Sequence, residues 1–481
     1  MELDRDLRSR QEVRTLVAQA HRAQEHLARL DQAAIDRIVQ AMAEAGARDA
    51  AELGQLAAGE TGFGNAEDKR EKNLLASRTL WEAVKDLKTV GIVHRDQAQK
   101  VWDVAVPVGV IAGIAPSTNP TSTVIYKAII ALKGGNAIVF SPHPGAKACS
   151  LETARRMMAA AAAAGCPDGA IGCISDPTMA AVDELLHHPQ VRLILATGGG
   201  AMVRAAYSSG KPAIGVGAGN GPAYLHPSCQ LEQAVADVIR SKTFDCGTIC
   251  ASEQSVILHA DQAQRMEAEL TRQGGCILDE ADGKKLAQYL FRANGTMNPA
   301  VVGKPAAQIA ALAGLSDRAK NAKVLLARET GVGPKNPYSM EKLCPVLGLY
   351  QVRNENEALQ LSCEILRHEG SGHTFTIHAE EEAVIRRFAL EVPVSRFLVN
   401  TPASLGGVGL TTGLFPALTL GCGAVGGSSS SNNIGPLDLI NLRRVAWGYQ
   451  TAETGHTTGE TDDALIEALT EKLLRRLVHE A

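Results

Sequence analysis

The chain has 481 residues, 45% of them hydrophobic and 21% charged, with 46 glycines and a formal net charge of −4. That length exceeds one ordinary core and predicts two or three domains, and the composition excludes disordered and collagen-like classes. Basic and acidic residues are interleaved, which excludes the footprint of a nucleic-acid or anionic-membrane protein. No uncharged apolar run reaches the roughly 20 residues of a membrane span.

Residues 1–90 are rich in helix formers with apolar residues at three- and four-residue spacing, as in Ala33, Ile35, Ile38, Val39 and Met42, and predict a set of packed helices. The N-terminal MELDRDLRSRQ has no apolar signal segment, and the ten cysteines form neither a CxxC pair nor a Cys/His cluster with zinc spacing. A reducing, cytoplasmic protein without a metal site is the expectation.

From about residue 92 the texture changes. GIVHRDQAQKVWDVAVPVGVIAGIAP alternates and then runs continuously apolar, predicting an outer hairpin over about 92–106 and then a buried parallel strand. Strand and helix patterns then alternate: helix 121–133, strand 136–142, helix 146–164, strand 170–174, helix 178–187 and strand 191–197. Such alternation implies right-handed crossovers and a doubly wound α/β sheet. A second set, with strands in SVILHA, KVLLARE, FTIHA and RFLVN, implies a second α/β domain.

Residues 451–463, TAETGHTTGETDD, are polar and free of large apolar residues, as a linker would be. Beyond them Leu465, Ile466, Leu469, Leu473, Leu474 and Leu477 form one apolar stripe, predicting a tethered amphipathic helix over 463–480.

The chemistry concentrates in SKTFDCGTICASEQSVI, residues 241–257, where Cys250 lies in a small-residue turn between a helix and a strand. A thiol there is an accessible nucleophile, against the commoner role of cysteine as a small buried hydrophobe. FDCGTICASEQSVI resembles the active-site segment of CoA-acylating aldehyde dehydrogenases. Three further segments resemble that family in the same order: VPVGVIAGIAPSTNPTST (106–123), IALKGGNAIVFSPHP (130–144) and GLFPALTLGCGAVGGSSSSNNIGPLDLINLRR (413–444).

The resemblance implies an aldehyde dehydrogenase fold, with a Rossmann-like cofactor domain, an α/β catalytic domain and an oligomerisation hairpin. The expected boundaries are 1–223 for the N-terminal helices and cofactor domain, 224–424 for the catalytic domain, 425–450 for an oligomerisation segment, and 451–481 for linker and terminal helix. It also implies Cys250 as nucleophile, with Asn119 and the Cys250 backbone N–H as oxyanion donors. Read alone, Asn119 is an ordinary turn asparagine before a proline.

In relatives that hydrolyse their thioester a glutamate activates water, but the matching stretch here, KPAIGVGAGNGPAYLHP (211–227), contains no acidic residue. Without that base the acyl group is left for another nucleophile, the CoA thiol; the competing reading makes the glycines, Gly217 among them, a tight packed turn. For the cofactor, NAD, the strand ending at Thr197 runs into Gly198, Gly199 and Gly200 and a helix, so backbone N–H groups can face a pyrophosphate; the GxGxxG fingerprint is missing. Ala115, Pro116, Ser117 and Thr118, in the turn after the strand of GVIAGIAP, and Gly217 are further candidate cofactor-binding residues. By resemblance, Ser141, His143 and Pro144 stand at the adenosine ribose, and Glu341 at the nicotinamide ribose. His373 is placed at the active-site mouth, against the structural role more usual for a lone histidine before a strand.

The expected reaction is NAD-dependent oxidation of a short aldehyde, acetaldehyde or propionaldehyde, to acyl-CoA. The alternatives are a dehydrogenase that releases the carboxylate and a catalytically silent scaffold or cargo protein. By resemblance, the 92–106 hairpin and NLRRVAWGY build a homodimer or homotetramer. The terminal helix resembles the encapsulation peptides that direct enzymes to shell proteins of bacterial microcompartments; a fold-back or assembly helix is the plainer reading.

Overall fold

The computed structural model describes residues 4–292, 295–448, 466–473 and 475. The polar linker at 451–463 therefore lies outside the described residues, as do both ends of the expected terminal helix.

Helices Arg5–Leu27, Gln32–Arg48, Ala50–Thr61 and Ala66–Leu74 open the chain, the last continuing through a π turn at Leu75–Thr79. Strands β1 (Gly91–Asp96) and β2 (Val101–Pro107) then form an antiparallel hairpin.

Five parallel strands follow: β3 (Val110–Ala115), β4 (Ala137–Pro142), β5 (Ile171–Cys173), β6 (Val191–Thr197) and β7 (Ala213–Val216), in the order β5-β4-β3-β6-β7. Every residue of β3 and β4 is buried, because helices cover both faces of a parallel sheet. That is why these strands read as continuous apolar runs. The order reverses between β3 and β6, so a crevice opens beyond Ala115 and Thr197, where open α/β sheets place their ligands.

A second parallel sheet contains β8 (Gly221–Leu225), β9 (Glu253–His259), β10 (Gly275–Ile277), β11 (Val324–Arg328), β12 (Val346–Val352), β13 (Gly372–His378) and β14 (Val394–Val399), ordered β10-β11-β12-β9-β8-β13-β14. The chain changes sheet between Val216 and Gly221, so the expected boundary at 223/224 falls inside β8 and moves back to 217–220. Sequence texture could not resolve this, since both flanking strands are short, apolar and buried.

The last strand, β15 (Ile440–Ala446), returns to pair antiparallel with β2, making a three-stranded sheet, and Trp447 packs edge-on against Trp102 with centroids 4.7 Å apart. Residues 466–473 are helical and exposed, including Ile466, Leu469 and Leu473. Among the described residues no helix is long and apolar enough to cross a membrane, and no cluster of His, Cys, Asp and Glu could hold a metal.

Candidate active site

A cavity of about 380 Å³ lies between the C-terminal ends of β3, β4 and β6 and the N-terminal end of β9. Its wall includes Ala115, Pro116, Ser117, Thr118 and Asn119 after β3, Ser141, His143 and Pro144 at the end of β4, and Thr197, Gly198 and Gly199 after β6. Gly217, Cys250 and Glu341 close the other side. A Cβ added at Gly199 or Gly217 would meet nothing within 4 Å, so packing does not demand glycine there; it keeps the floor bare for a ligand to approach the backbone. Gly199 caps the helix Gly200–Ser208, whose free N–H groups suit an anion.

Cys250 sits at the end of an irregular turn that links the helix Leu231–Thr243 to β9. Burial pushes its thiol up to about 12, and nearby Glu341 and Cys422 push the same way; Arg396 and the residue's own N–H oppose them. The resting site therefore favours the neutral thiol. Within the turn, Asp245 and Cys246 adopt positive φ values of 45° and 51°, a conformation that costs non-glycine residues about 1–3 kcal/mol and persists only where the surroundings enforce it.

The surroundings here are a buried ionic cluster. Asp245 accepts from the N–H of Asn65 at 2.9 Å, from Lys69 Nζ at 2.9 Å, from the Thr248 hydroxyl at 2.8 Å, and from Lys72 Nζ. Two cations hold its carboxyl below the usual range although burial alone would raise it. Lys69 also donates to the Thr118 carbonyl at 3.0 Å, and Lys72 to Asn119 Oδ1 at 2.6 Å and Thr248 Oγ1 at 3.0 Å. Asn119, the N-cap of the helix Pro120–Lys133, turns its Nδ2 toward Thr118 Oγ1 at 3.1 Å and the Thr248 carbonyl at 3.4 Å. An amide N–H₂ is thus carried to the cavity wall against the carbonyl of Thr248, two positions before Cys250.

Glu341 is the one carboxylate among the lining residues. It accepts from the N–H of Gly219 at 2.9 Å, and its own N–H donates to Glu369 at 2.7 Å. Burial, then the charge of Glu369, raises it to about 8. The expectation that His373 stands at the mouth is corrected: it is fully buried on β13, does not line the cavity, and pairs through Nδ1 with Thr374 Oγ1 at 2.9 Å. Burial lowers it to about 3, so the ring is neutral. Its Cε1 lies 3.2 Å from where a Cβ on Gly219 would stand.

Residues 6–274 match the aldehyde dehydrogenase family. The chain belongs to that family. It is 40% identical over 479 residues to the bifunctional aldehyde-alcohol dehydrogenase AdhE of Escherichia coli K12, covering 97% of this chain and 54% of the relative, so it spans about half the length of that protein. It is 36% identical to the succinate-semialdehyde dehydrogenase (acetylating) of Clostridium kluyveri, covering 92% of this chain and 97% of the relative. Among solved structures, an acetylating aldehyde dehydrogenase from Geobacillus thermoglucosidasius superposes with a TM-score of 0.92 at 48% identity, covering 94% and 99% of the two chains. A propionaldehyde dehydrogenase from the fucose utilisation bacterial microcompartment of Clostridium phytofermentans gives 0.82 at 25% identity, covering 91% and 97%. The architecture is the aldehyde dehydrogenase fold.

Within that family fold, every sequence-predicted site residue except His373 reaches the one cavity. Sequence reasoning missed Thr248 and the apolar lining of Met179, Val182 and Met202, as well as the Lys69–Lys72–Asp245 cluster. The i, i+3 spacing of the two lysines in EDKREKN was the only available signal, and it reads equally well as a solvated helix face.

Proposed function

We propose that the protein is an NAD-dependent, CoA-acylating aldehyde dehydrogenase acting on a short aldehyde such as propionaldehyde or acetaldehyde. The observation that carries this reading is that Cys250 and Asn119 meet at one cavity whose wall between β7 and β8, Val216–Ala218, has no carboxylate to activate water. The acetylating relatives support the same acceptor.

Gly198–Gly200 and the helix they open would hold the pyrophosphate, Ser141 and His143 the adenosine ribose, and Glu341 the nicotinamide ribose. NAD, when bound, supplies the hydride acceptor that turns a thiohemiacetal into a thioester. The Cys250 thiol gives its proton to solvent as its sulfur bonds to the aldehyde carbon and the carbonyl π pair moves onto oxygen. Asn119 Nδ2 and the Cys250 N–H receive the oxyanion. The acyl group then rests on Cys250 with no adjacent ionised carboxylate to direct water at it, since Glu341 keeps its proton up to about pH 8. The CoA thiol displaces Cys250 and regenerates the enzyme.

NADH absorbance with propionaldehyde and NAD, with and without CoA, tests this reading. CoA-dependent turnover is expected; CoA-independent turnover would make the product a carboxylate, and no turnover with any short aldehyde would overturn it.

The same reading extends to assembly. The three-stranded sheet, with exposed Leu442 and Trp447, fits a subunit contact of a homodimer or homotetramer. The exposed stripe of Ile466, Leu469 and Leu473 fits a helix that docks on a microcompartment shell protein. Co-sedimentation of full-length and truncated enzyme with shell proteins checks the second.

A further inference from the structure

Lys72 is only 1% exposed and donates all three of its N–H bonds: to Asn119 Oδ1, Asp245 Oδ2 and Thr248 Oγ1. An ammonium has no acceptor to offer. Rotating the Asn119 amide by half a turn would set its N–H₂ against the Lys72 cation and lose a charge-assisted bond, so only one orientation of that amide satisfies the cluster. In that orientation Oδ1 is spent on Lys72, while Nδ2 bonds Thr118 Oγ1 at 3.1 Å and the Thr248 carbonyl at a longer 3.4 Å, the bond that an oxyanion in the cavity would take over. Lys72 reaches this position from the helix Ala66–Leu74, through helical spacing that sets Lys69 and Lys72 on one face toward Asp245.

We propose that Lys72 is a positioning residue for the oxyanion site, whose buried ammonium fixes the Asn119 amide with its N–H₂ facing the carbonyl that Cys250 attacks. Through Thr248 the same ammonium ties that donor to the nucleophile's turn, so that donor and sulfur keep one spacing. Lys69 assists by holding the Thr118 carbonyl. This inference rests on the roles proposed above for Cys250 and Asn119.

A double-mutant cycle in the full-length enzyme tests it, with Lys72→Met, Asn119→Ala and the two combined, read as CoA-dependent NADH formation. Loss of one oxyanion donor costs about 10²–10³ in kcat, so Lys72→Met should lower kcat by at least tenfold. Because Lys72 acts through Asn119, the same change in the Asn119→Ala background should alter kcat by less than about threefold. Alkylation of Cys250 by iodoacetamide needs the thiol but not the oxyanion donor, and should stay within about twofold of wild type.

Unchanged kcat in Lys72→Met overturns the proposal. Multiplicative losses in the cycle do so as well, as would a parallel loss of alkylation, which would mean that Lys72 merely supports the turn. If Lys72→Met does not fold, Lys72→Gln with Asp245→Asn, which leaves no net charge change in the cluster, replaces it in the same cycle. A wild-type enzyme without CoA-dependent turnover would instead sink the functional reading, before the cycle begins.

Discussion

Gly219 offers the sharpest perturbation of the site, because changing it presses on the Cys250 backbone while leaving every proposed catalytic side chain in place. A Cβ built on it would stand 2.0 Å from the carbonyl oxygen and 2.9 Å from the carbonyl carbon of Cys250, where ordinary contact begins at 3.4 Å. Relief requires the 217–220 segment and the Cys250 backbone to part by about 1.4 Å, and the buried ring of His373, 3.2 Å away on the same side, blocks one route. Overpacking of this kind costs about 1–3 kcal/mol of stability. Displacing a nucleophile by about 1 Å costs on the order of 10²-fold in rate. Gly219→Ala should therefore fold, unfold at modestly lower urea, and lose about 10²-fold in kcat, while the glutamate anchor at the Gly219 N–H survives. Steady-state NADH formation with urea titration measures both effects. A variant with wild-type kcat would refute the reasoning that the close approach of the 217–220 turn sets the position of Cys250 for turnover.

Cys250→Ala should abolish turnover, whereas Cys246→Ala should be largely tolerated; a silent Cys246 variant paired with an active Cys250 variant would reassign the nucleophile. Since burial raises the Cys250 thiol to about 12, its alkylation by iodoacetamide in the ligand-free enzyme should climb about tenfold per pH unit from 7 upward, and a plateau near pH 8 would show a thiol already activated. Glu341 is raised to about 8 in the folded state, so the native protein binds its proton more tightly than the unfolded chain and loses stability as pH rises from about 4.5 to 8. Glu341→Gln escapes that loss, and its melting temperature relative to wild type should climb over this window and level off above it; a pH-independent difference would contradict the burial of this carboxyl. Deleting residues 452–481 should leave kcat/KM unchanged and remove co-sedimentation with shell proteins, whereas lost catalysis would make the terminal helix part of the enzyme's own structure.

The alternating strands and helices, the buried character of β3 and β4, and the turn residues after Ala115, Ser141 and Thr197 were legible in the amino-acid sequence. Each of these signals is local: burial on both faces writes a continuous apolar run, and a ligand-binding turn follows its strand within a few residues. Cys250 and Asn119 were legible because each sits in a short stretch of small and polar residues with a family likeness, and the structure brings both to one cavity.

Other features depend on which distant segments meet. Whether His373 faces a cavity or a core could not be read from a lone histidine before a strand; its burial depends on packing that includes Gly219, 154 positions earlier. The switch of sheets at 217–220, rather than at 223, came from hydrogen-bond partners, to which two adjacent apolar strands give no local clue. Lys69 and Lys72 look like surface charges in the sequence, since lysine is rarely buried without a partner. Their partner, Asp245, is 173 residues beyond Lys72, and only tertiary folding brings it close enough to compensate two desolvated cations. The sequence by itself determined the elements and singled out Cys250 and Asn119 as candidates, because backbone periodicity and side-chain chemistry are properties of short segments. The tertiary structure alone decided how those residues are oriented and charged, because burial and ion pairing depend on contacts between segments far apart in the chain.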